Sequence, residues 1–369
     1  MILTNDIHPT YHLACDIYET ECREIPKRIE KEDIIAGIDF FKKYIVQNTT
    51  YPSIYLSATG RSLDTALQGT MAGTELINRY STINTPHTYT TPGNSDCAIC
   101  ITASGETTDV TEYLKNTGIP TLLITGNTES TAWQIAQQKD NILIIHNPSQ
   151  SKKSAITDDD NNTIKSMGTI SEQDTYRLIV SMFNAASQRE KNPYQSYKST
   201  INLFAENISE LNNITPEPLS NLIDVYSSNK NITLGAKKGS YHIAHAFSVR
   251  LKQAGFNISI TTDENYNSIF SPYTVSGKKF KKSMTNPNTY PIISSCAQES
   301  PHNKNENTIL IPWQITEMQT DTPESIWAKI LTWNNMIVFN DAFGASVFTD
   351  RNITQETLKG NHKKDFTNN

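Results

Sequence analysis

The sequence has few cysteines and no long apolar run. Its 369 residues include five cysteines, an odd and sparse set that does not suit a disulfide framework in a chain of this size. At the N-terminus only a few apolar residues precede Asn5 and Asp6, which fits neither a secretory signal nor a membrane span. We therefore expect a cytoplasmic protein in a reducing compartment, without a membrane partner.

The sequence also lacks an excess of basic charge. Its formal net charge is -6, and both signs are spread along the chain, without the basic stripe that follows a phosphate backbone. Neither the Walker pattern G-x-x-x-x-G-K-[ST] nor the dinucleotide pattern G-x-G-x-x-G follows a predicted strand. Nucleic acid, ATP and NAD are therefore disfavoured as partners, and no cofactor is implied.

Metal-ligand patterns are weak as well. Cys97 and Cys100 have C-x-x-C spacing, but they lie in an apolar run without a second Cys/His pair nearby, which disfavours a metal or redox role. His242 and His245 have a spacing that can chelate a metal; without a further ligand, structural histidines are the preferred interpretation. The acidic run 158–160 favours a solvated loop over a metal site. We predict no metal site.

The apolar patterning indicates an α/β fold. Residues 10–50 have helical spacing. From Ser53, four short apolar runs alternate with helical segments: "SIYLSA", "CAICITA", "PTLLITG" and "NILIIHN". This alternation is typical of βαβ units in a parallel sheet. Residues 147–166 lack apolar periodicity, so we predict a loop there. For "SEQDTYRLIVSMFNAASQ" we predict a helix with Ser171 as its N-cap.

The second half repeats this order. It contains helical segments, then a strand "NITLGA", a helix "SYHIAHAFSVRLKQAG" and a strand "FNISITT", which indicates an internal repeat with a period of about 180 residues. The polar stretch "REKNPYQSYKST" is the candidate linker. We therefore predict two domains, 1–190 with leading helices and 200–369.

Two polar turns follow predicted strands of the first half. They are "SATGRS", 57–62, and "TASGETT", 102–108. In a parallel α/β sheet ligands bind beyond the carboxyl ends of the strands, where hydroxyls, glycines and helix N-terminal amides suit a phosphate monoester. Ordinary Ser/Thr capping of helices explains the same residues equally well. The candidate phosphate and substrate ligands are Gly60, Arg61, Ser62, Ser104, Gly105, Glu106, Thr107 and Thr108.

The motifs "ATGRS", "TASGETTDV" and "LLITGNTESTAWQIAQQKDNILII" resemble a sugar isomerase (SIS) domain over residues 45–190. Within that superfamily the chain is most similar to the 6-phospho-3-hexuloisomerase family, which has a glycine-Arg-Ser turn, an S-G-E-T-T turn and a later "MGT" before a helix. "KSMGTISEQDTYRLI" matches this last element, with Glu172 in the family's glutamate position and Ser171 in place of its aromatic residue.

The second half resembles the same family in a degenerate form. "ITLGAKKGSYHIAHAFSVRLKQAGFNISI" follows the family's strand, glycine turn and helix, but no S-G-E-T-T turn follows, and Gln253 stands where the family has a histidine. "NITQETLKGNHKKDF" is similar to the family's C-terminal segment and places His362 at its histidine; Glu324 is a weaker counterpart of the glutamate. The resemblance implies two tandem αβα sandwiches with parallel five-stranded, flavodoxin-like sheets, the second copy degenerate.

The resemblance implies a cofactor-independent phosphosugar isomerase, of the aldose/ketose or the ketose/ketose type, that acts on a hexulose 6-phosphate through an enediol. Glu172 would be the base, although a first-turn glutamate also complements a helix dipole. His362, or His87, would be an acid for ring opening, although a lone histidine is more often a satisfied polar residue. Glu106 would bind a sugar hydroxyl or hold its turn.

Two alternatives to this enzyme remain. One is a non-catalytic phosphosugar-binding or regulatory protein that retains the first copy's phosphate turns. The other is a relative of the glucosamine-6-phosphate isomerase module, which ranks last because its lysine-rich tail has no counterpart beyond "GNHKKDF". Since SIS sites usually form between two such domains, the resemblance also implies a homodimer or an intrachain pseudo-dimer.

Overall fold

The computed structural model describes two compact units. The described residues are 9–48, 52–77, 81–85, 96–148, 156–157, 163–165, 169–188, 192–214, 219–220, 223–224, 226–227, 231–235, 241–261, 323–354, 356–358 and 361. We call residues 20–154 with 168–205 the sheet unit, and residues 1–19, 155–167 and 206–369 the second unit. The division of the chain into domains 1–190 and 200–369 stays a prediction.

The sheet unit is built on a five-stranded parallel sheet with the order β2-β1-β3-β4-β5. The strands are β1 Ser53–Ser57, β2 Thr82–Asn84, β3 Cys97–Thr102, β4 Thr121–Thr125 and β5 Ile142–His146. The predicted α/β class with a parallel five-stranded sheet is thereby confirmed, and its strand order is the flavodoxin-like one.

Helices precede, separate and follow these strands along the chain. They are α1 Pro9–Arg28, α2 Lys31–Phe41 with a π-helical turn Lys42–Val46, α3 Arg61–Leu76, α4 Thr108–Asn116, α5 Thr131–Gln137, α6 Thr169–Ser187 and α7 Pro193–Ser209. Every residue of β3 and β4 is buried, as expected for parallel strands covered on both faces. One apolar core cluster consists of Cys100, Val110, Leu114, Leu123, Ala132, Ala136 and Ile142.

Cys97 and Cys100 are interior residues of β3. Both are fully buried free thiols, and burial raises the pKa of each well above its ordinary value. A high pKa keeps the less reactive thiol form at neutral pH. Their C-x-x-C spacing thus belongs to the packing of a strand.

Helix α6 is buried on all sides along most of its length. From Thr169 to Ala186, each residue except Glu172 is buried. Glycines permit this close packing: a Cβ at Gly73 of α3 would overlap the Phe183 ring, and one at Gly69 would lie 3.4 Å from the Ile179 Cβ. The helix begins at Thr169, so the prediction of Ser171 as N-cap is wrong; Ser171 lies in the first turn.

The second unit contains a parallel strand pair. Strand β8 Asn231–Gly235 is followed by α8 Tyr241–Gln253 and by β9 Asn257–Thr261, and β8 pairs with β9. The strand-helix-strand order predicted for this region is confirmed, while the internal repeat stays a prediction. Helix α9 Pro323–Asp350 follows later in the chain.

The predicted loop 147–166 also contains regular structure. Strands β6 Ile156–Thr157 and β7 Thr163–Lys165 form an antiparallel pair, so the prediction of a plain loop is wrong there. Such short strands carry too few apolar positions for a period of two to be recognised. The acidic run 158–160 lies outside the described residues.

Candidate functional site

The turn after β1 leads directly into α3. Gly60 has φ +58° and ψ −137°, a conformation that costs glycine little and other residues much. Its carbonyl accepts hydrogen bonds from the amides of Leu63 (3.0 Å) and Asp64 (3.3 Å). Arg61 is the first residue of α3 and is buried, and Ser62 beside it is partly exposed.

The turn after β3 is held by its own hydroxyls. The Gly105 amide donates to Thr102 Oγ1 at 3.0 Å, and Thr102 Oγ1 lies 2.9 Å from Thr107 Oγ1. The Glu106 amide donates to Ser104 Oγ at 3.2 Å. Gly105 has φ +72°, and a Cβ there would overlap the Ser130 side chain, so both conformation and space require glycine.

The Glu106 carboxylate binds the start of α5. One oxygen accepts from the Thr131 amide at 2.9 Å, and the other accepts from Thr131 Oγ1 at 2.7 Å. Asn127 Nδ2 also donates to the Ser104 carbonyl at 3.1 Å. These contacts support the role of Glu106 in holding the turn, while its contact with a sugar hydroxyl stays a prediction. Sequence analysis missed Asn127 and Thr131, which stand more than twenty positions from their partners.

The strand order brings the two turns to the same edge of the sheet. β1 and β3 are parallel neighbours, with Ser57 beside Cys100, so the turns that follow them start at the same edge. The order β2-β1-β3-β4-β5 reverses direction between β1 and β3, and ligands of open α/β sheets bind at such a switch point. The N-termini of α3 and α4 add amide groups that favour an anion.

Glu172 forms an ion pair with Arg61. Arg61 Nη2 lies 3.1 Å from Glu172 Oε2, and the two side chains are 7% and 12% exposed. Helix α3 contacts α6 at Gly69 with Tyr176 and at Gly73 with Phe183, so residue numbers rise together and the helices run in the same direction. The N-terminus of α6 therefore lies at the same edge as the two turns.

This pairing changes the role expected for Arg61. The sequence suggests Arg61 as a charge beside the phosphate and Glu172 as a separate base, whereas the structure pairs them. The guanidinium compensates the charge of a mostly buried carboxylate, which would otherwise be expensive to bury. A phosphate contact of Arg61 stays a prediction.

Two hydroxyls at the end of β1 were not singled out by sequence analysis. Ser57, the last residue of β1, is 1% exposed, and Thr59 follows two residues later. Within the described part of the chain, neither Ser57 Oγ nor Thr59 Oγ1 has a hydrogen-bond partner, although both atoms are buried. Such atoms are rare in folded proteins.

Several predicted residues cannot be placed. His362 and His87 lie outside the described residues, so their roles stay predictions. His242 and His245 lie on α8, where the Tyr241 ring stacks on His245 at 5.9 Å, a packing contact that agrees with structural histidines. Across the described ranges, no group of three or more His, Cys, Asp or Glu side chains is placed to hold a metal ion. No described helix combines the length and the apolar character needed to cross a membrane.

Comparisons with known proteins show a shared fold. No family model and no curated protein matches the sequence. Three solved structures illustrate the likeness. Tagatose-6-phosphate ketose/aldose isomerase from Escherichia coli has a TM-score of 0.58 and 14% identity, with 93% of each chain covered. The C-terminal domain of glucosamine-fructose-6-phosphate aminotransferase from Francisella tularensis has a TM-score of 0.55 and 12% identity, covering 93% of this chain and 96% of that one. A provisionally named sugar-binding protein from Salmonella typhimurium LT2 has a TM-score of 0.56 and 13% identity; the match covers 89% of this chain and 98% of that one.

Proposed function

We propose that this chain is a phosphosugar isomerase of the SIS type that acts on a hexulose 6-phosphate without a cofactor. The observation that carries the proposal is the Arg61–Glu172 ion pair at the sheet edge where the two hydroxyl-rich turns begin. A phosphate site and an acid–base group then share one crevice. The names of the structural neighbours, an isomerase of a sugar phosphate among them, are consistent with this proposal.

The two turns hold the phosphate group in this proposal. Ser62, Ser104, Thr107 and Thr108 supply hydroxyls, and the first amides of α3 and α4 supply N–H donors. Charge-assisted hydrogen bonds to phosphate oxygens are stronger than neutral ones, so a few such groups anchor one end of the substrate. Gly60 and Gly105 allow the backbone to approach the phosphate closely.

Glu172 is the proton-transfer group in this proposal. Its carboxylate removes the proton from the carbon next to the ketone, and the electron pair of that C–H bond forms the carbon–carbon double bond of an enediolate. The proton then returns from Glu172 to the former carbonyl carbon, and the hydroxyl proton of the neighbouring carbon moves to the new hydroxyl. No proton is gained or lost overall. Arg61, 3.1 Å from Glu172, stays next to the negative charge that passes from carboxylate to enediolate.

A non-catalytic sugar phosphate-binding protein is the second candidate. It is favoured by Gln253, which stands in place of the family's histidine and accepts a hydrogen bond from Arg250 Nη1 at 3.3 Å. The Gln253 side chain is an amide that binds Arg250 of the same helix. It therefore cannot act as the imidazole acid that opens a sugar ring. The phosphate turns of the sheet unit would bind a ligand equally well without turnover.

An isomerisation assay separates the two candidates. We would follow conversion of 3-hexulose 6-phosphate to fructose 6-phosphate in a coupled assay and, in parallel, the melting temperature with fructose 6-phosphate added. The isomerase proposal predicts turnover together with a raised melting temperature. A raised melting temperature without turnover of this or other ketose phosphates would support the binding protein. If the protein shows neither turnover nor a raised melting temperature, both candidates are contradicted.

A further inference from the structure

A second charged cluster lies on helix α6, two residues beyond Glu172. Arg28, the last residue of α1, donates from Nη2 to Asp174 Oδ2 at 2.9 Å. Asp174 is fully buried, and Arg28 is 20% exposed. The same Arg28 nitrogen donates to the Glu21 carbonyl at 2.9 Å, and its Nη1 pairs with the Glu21 carboxylate. Contacts within α1 thus hold the Arg28 side chain in the position from which it binds Asp174 of α6.

Arg177 extends this cluster along α6. Its Nη1 lies 3.9 Å from Asp174 Oδ1, and its Nη2 donates to Gln173 Oε1 at 3.0 Å. Arg177 is fully buried. The cluster therefore holds charged groups inside the protein, whose net contribution to stability is often small or unfavourable compared with apolar residues of the same size. Stability alone is a poor explanation for it.

The position of the cluster around the helix suggests what it does. Successive residues of an α-helix are rotated by about 100°, so Asp174 points about 200° away from Glu172. Glu172 is tied to α3 through Arg61, and Asp174 is tied to α1 through Arg28. Two ion pairs on opposite sides of one helical turn resist rotation of that turn about its axis, in either direction.

We infer that Arg28 and Asp174 are positioning residues for Glu172, and that they hold the first turn of α6 so that the carboxylate of Glu172 faces the crevice. This inference rests on the proposed function. Displacements of about 1 Å at a reacting group can reduce catalysis by about a hundredfold, so a loose first turn would lower the rate of proton transfer. Binding of the phosphate would change little, because its candidate ligands lie on other elements.

Four variants test the inference. Arg28→Gln and Asp174→Asn remove one charge each; Arg28→Lys keeps the charge but loses the planar fork. Lys115→Gln is the control, since it removes an exposed ion pair with Glu112 at 2.7 Å on α4. For each variant of the full chain we would measure kcat and KM for 3-hexulose 6-phosphate and the deuterium exchange of backbone amides in residues 169–178. Arg28→Gln keeps the test valid if Asp174→Asn does not fold.

We expect Arg28→Gln to lower kcat by about tenfold or more while KM changes by less than about threefold. Arg28→Lys recovers part of kcat, and the first turn of α6 exchanges faster in Arg28→Gln than in the Lys115→Gln control. If the wild type is active and Arg28→Gln has the same kcat, the inference is overturned. The same holds if the amides of the first turn of α6 exchange as slowly in Arg28→Gln as in the control. If the wild type does not isomerise the sugar phosphate, the proposed function fails, and the exchange data still decide whether the cluster fixes this turn.

Discussion

Each of the two units contains a strand followed by a helix with a buried arginine, but Arg61 is the first residue of α3, whereas Arg250 lies in the last turn of α8. In the sheet unit β1 leads into α3, and Arg61 pairs with Glu172 of another helix at 3.1 Å. In the second unit β8 is followed by α8, where Arg250 donates to Gln253 of the same helix at 3.3 Å. Both arginines are buried. In the sheet unit the candidate site therefore depends on the contact between two helices, α3 and α6.

The largest effect is expected from a pair of glycine variants, one in each unit. Gly105 and Gly255 both have positive φ, +72° and +86°, but a Cβ meets the Ser130 side chain at Gly105 and nothing within 4 Å at Gly255. Gly255→Ala should cost the roughly 1–2 kcal/mol of a left-handed residue. Gly105→Ala should cost about 1–3 kcal/mol more and should weaken binding of fructose 6-phosphate by at least about tenfold, a loss of about 1.4 kcal/mol.

Urea unfolding and titration calorimetry of both glycine variants check this prediction. Equal losses of stability in Gly105→Ala and Gly255→Ala would show that the contact with Ser130 is unimportant. Undiminished affinity in Gly105→Ala would remove the turn after β3 from the ligand site.

Two helical glycines form the next matched pair. A Cβ at Gly73 would overlap Phe183 between α3 and α6, whereas at Gly344 of α9 it would lie 3.7 Å from Phe247, an ordinary contact. Gly344→Ala should stabilise the protein by up to about 1 kcal/mol through helix propensity. Gly73→Ala should destabilise it by about 1–3 kcal/mol through overpacking, and should lower kcat because it pushes Glu172 away from Arg61. Thermal unfolding and steady-state kinetics measure both effects; a stabilised, fully active Gly73→Ala protein would contradict the packing account.

The thiols of α1 allow a pH comparison between the units. Burial raises the pKa of Cys22, in the sheet unit, to about 11 and that of Cys15, in the second unit, to about 12. These folded-state pKa values exceed that of a thiol in the unfolded chain, about 8.5. The contribution of each thiol to the free energy of unfolding is therefore fully present below about pH 8.5, declines above it, and is lost as the pH passes the folded-state pKa. Between pH 8 and pH 10 the wild type should lose about 2 kcal/mol of unfolding free energy for each such thiol. Urea unfolding of Cys22→Ala and Cys15→Ala should show a smaller loss of unfolding free energy between these pH values. A loss equal to that of the wild type would show that these buried thiols do not cause the pH dependence.

The smallest effect is expected at the end of β1. The Ser57 hydroxyl is buried without a hydrogen-bond partner among the described residues, so Ser57→Ala should leave the melting temperature unchanged or slightly raised. If this hydroxyl contacts the sugar, the Kd for fructose 6-phosphate should rise by a few-fold, about 1 kcal/mol. A lower melting temperature with unchanged affinity would show that the hydroxyl serves the fold instead.

Much of the sheet could be predicted because its strands are continuous apolar runs. β1, β3, β4 and β5 each have at least three apolar residues, and burial on both faces selects such runs. β2 consists of Thr82–Asn84 with a single isoleucine, so its apolar content gives no indication of a strand. Its position depends on pairing with β1, which is a tertiary contact.

The candidate site was predictable where its residues are neighbours in sequence. The turns after β1 and β3 each combine glycine and hydroxyls within a few positions, and their chemistry follows from that spacing. The Arg61–Glu172 pair joins helices that are far apart in the chain and that meet through Gly69 and Gly73. No local pattern encodes such a contact. The role of Glu172 came from the family resemblance, and its partner came from the structure.

The most direct test of the account is whether Glu172 moves a proton to and from carbon. We would incubate fructose 6-phosphate in D2O with the wild type, with Glu172→Gln and with the surface control Glu112→Gln, and follow deuterium incorporation into the sugar by NMR. The account predicts incorporation with the wild type and with Glu112→Gln, and a loss of at least about a hundredfold in rate with Glu172→Gln, whose affinity for the sugar phosphate stays similar. Incorporation at the same rate in all three proteins would contradict the account.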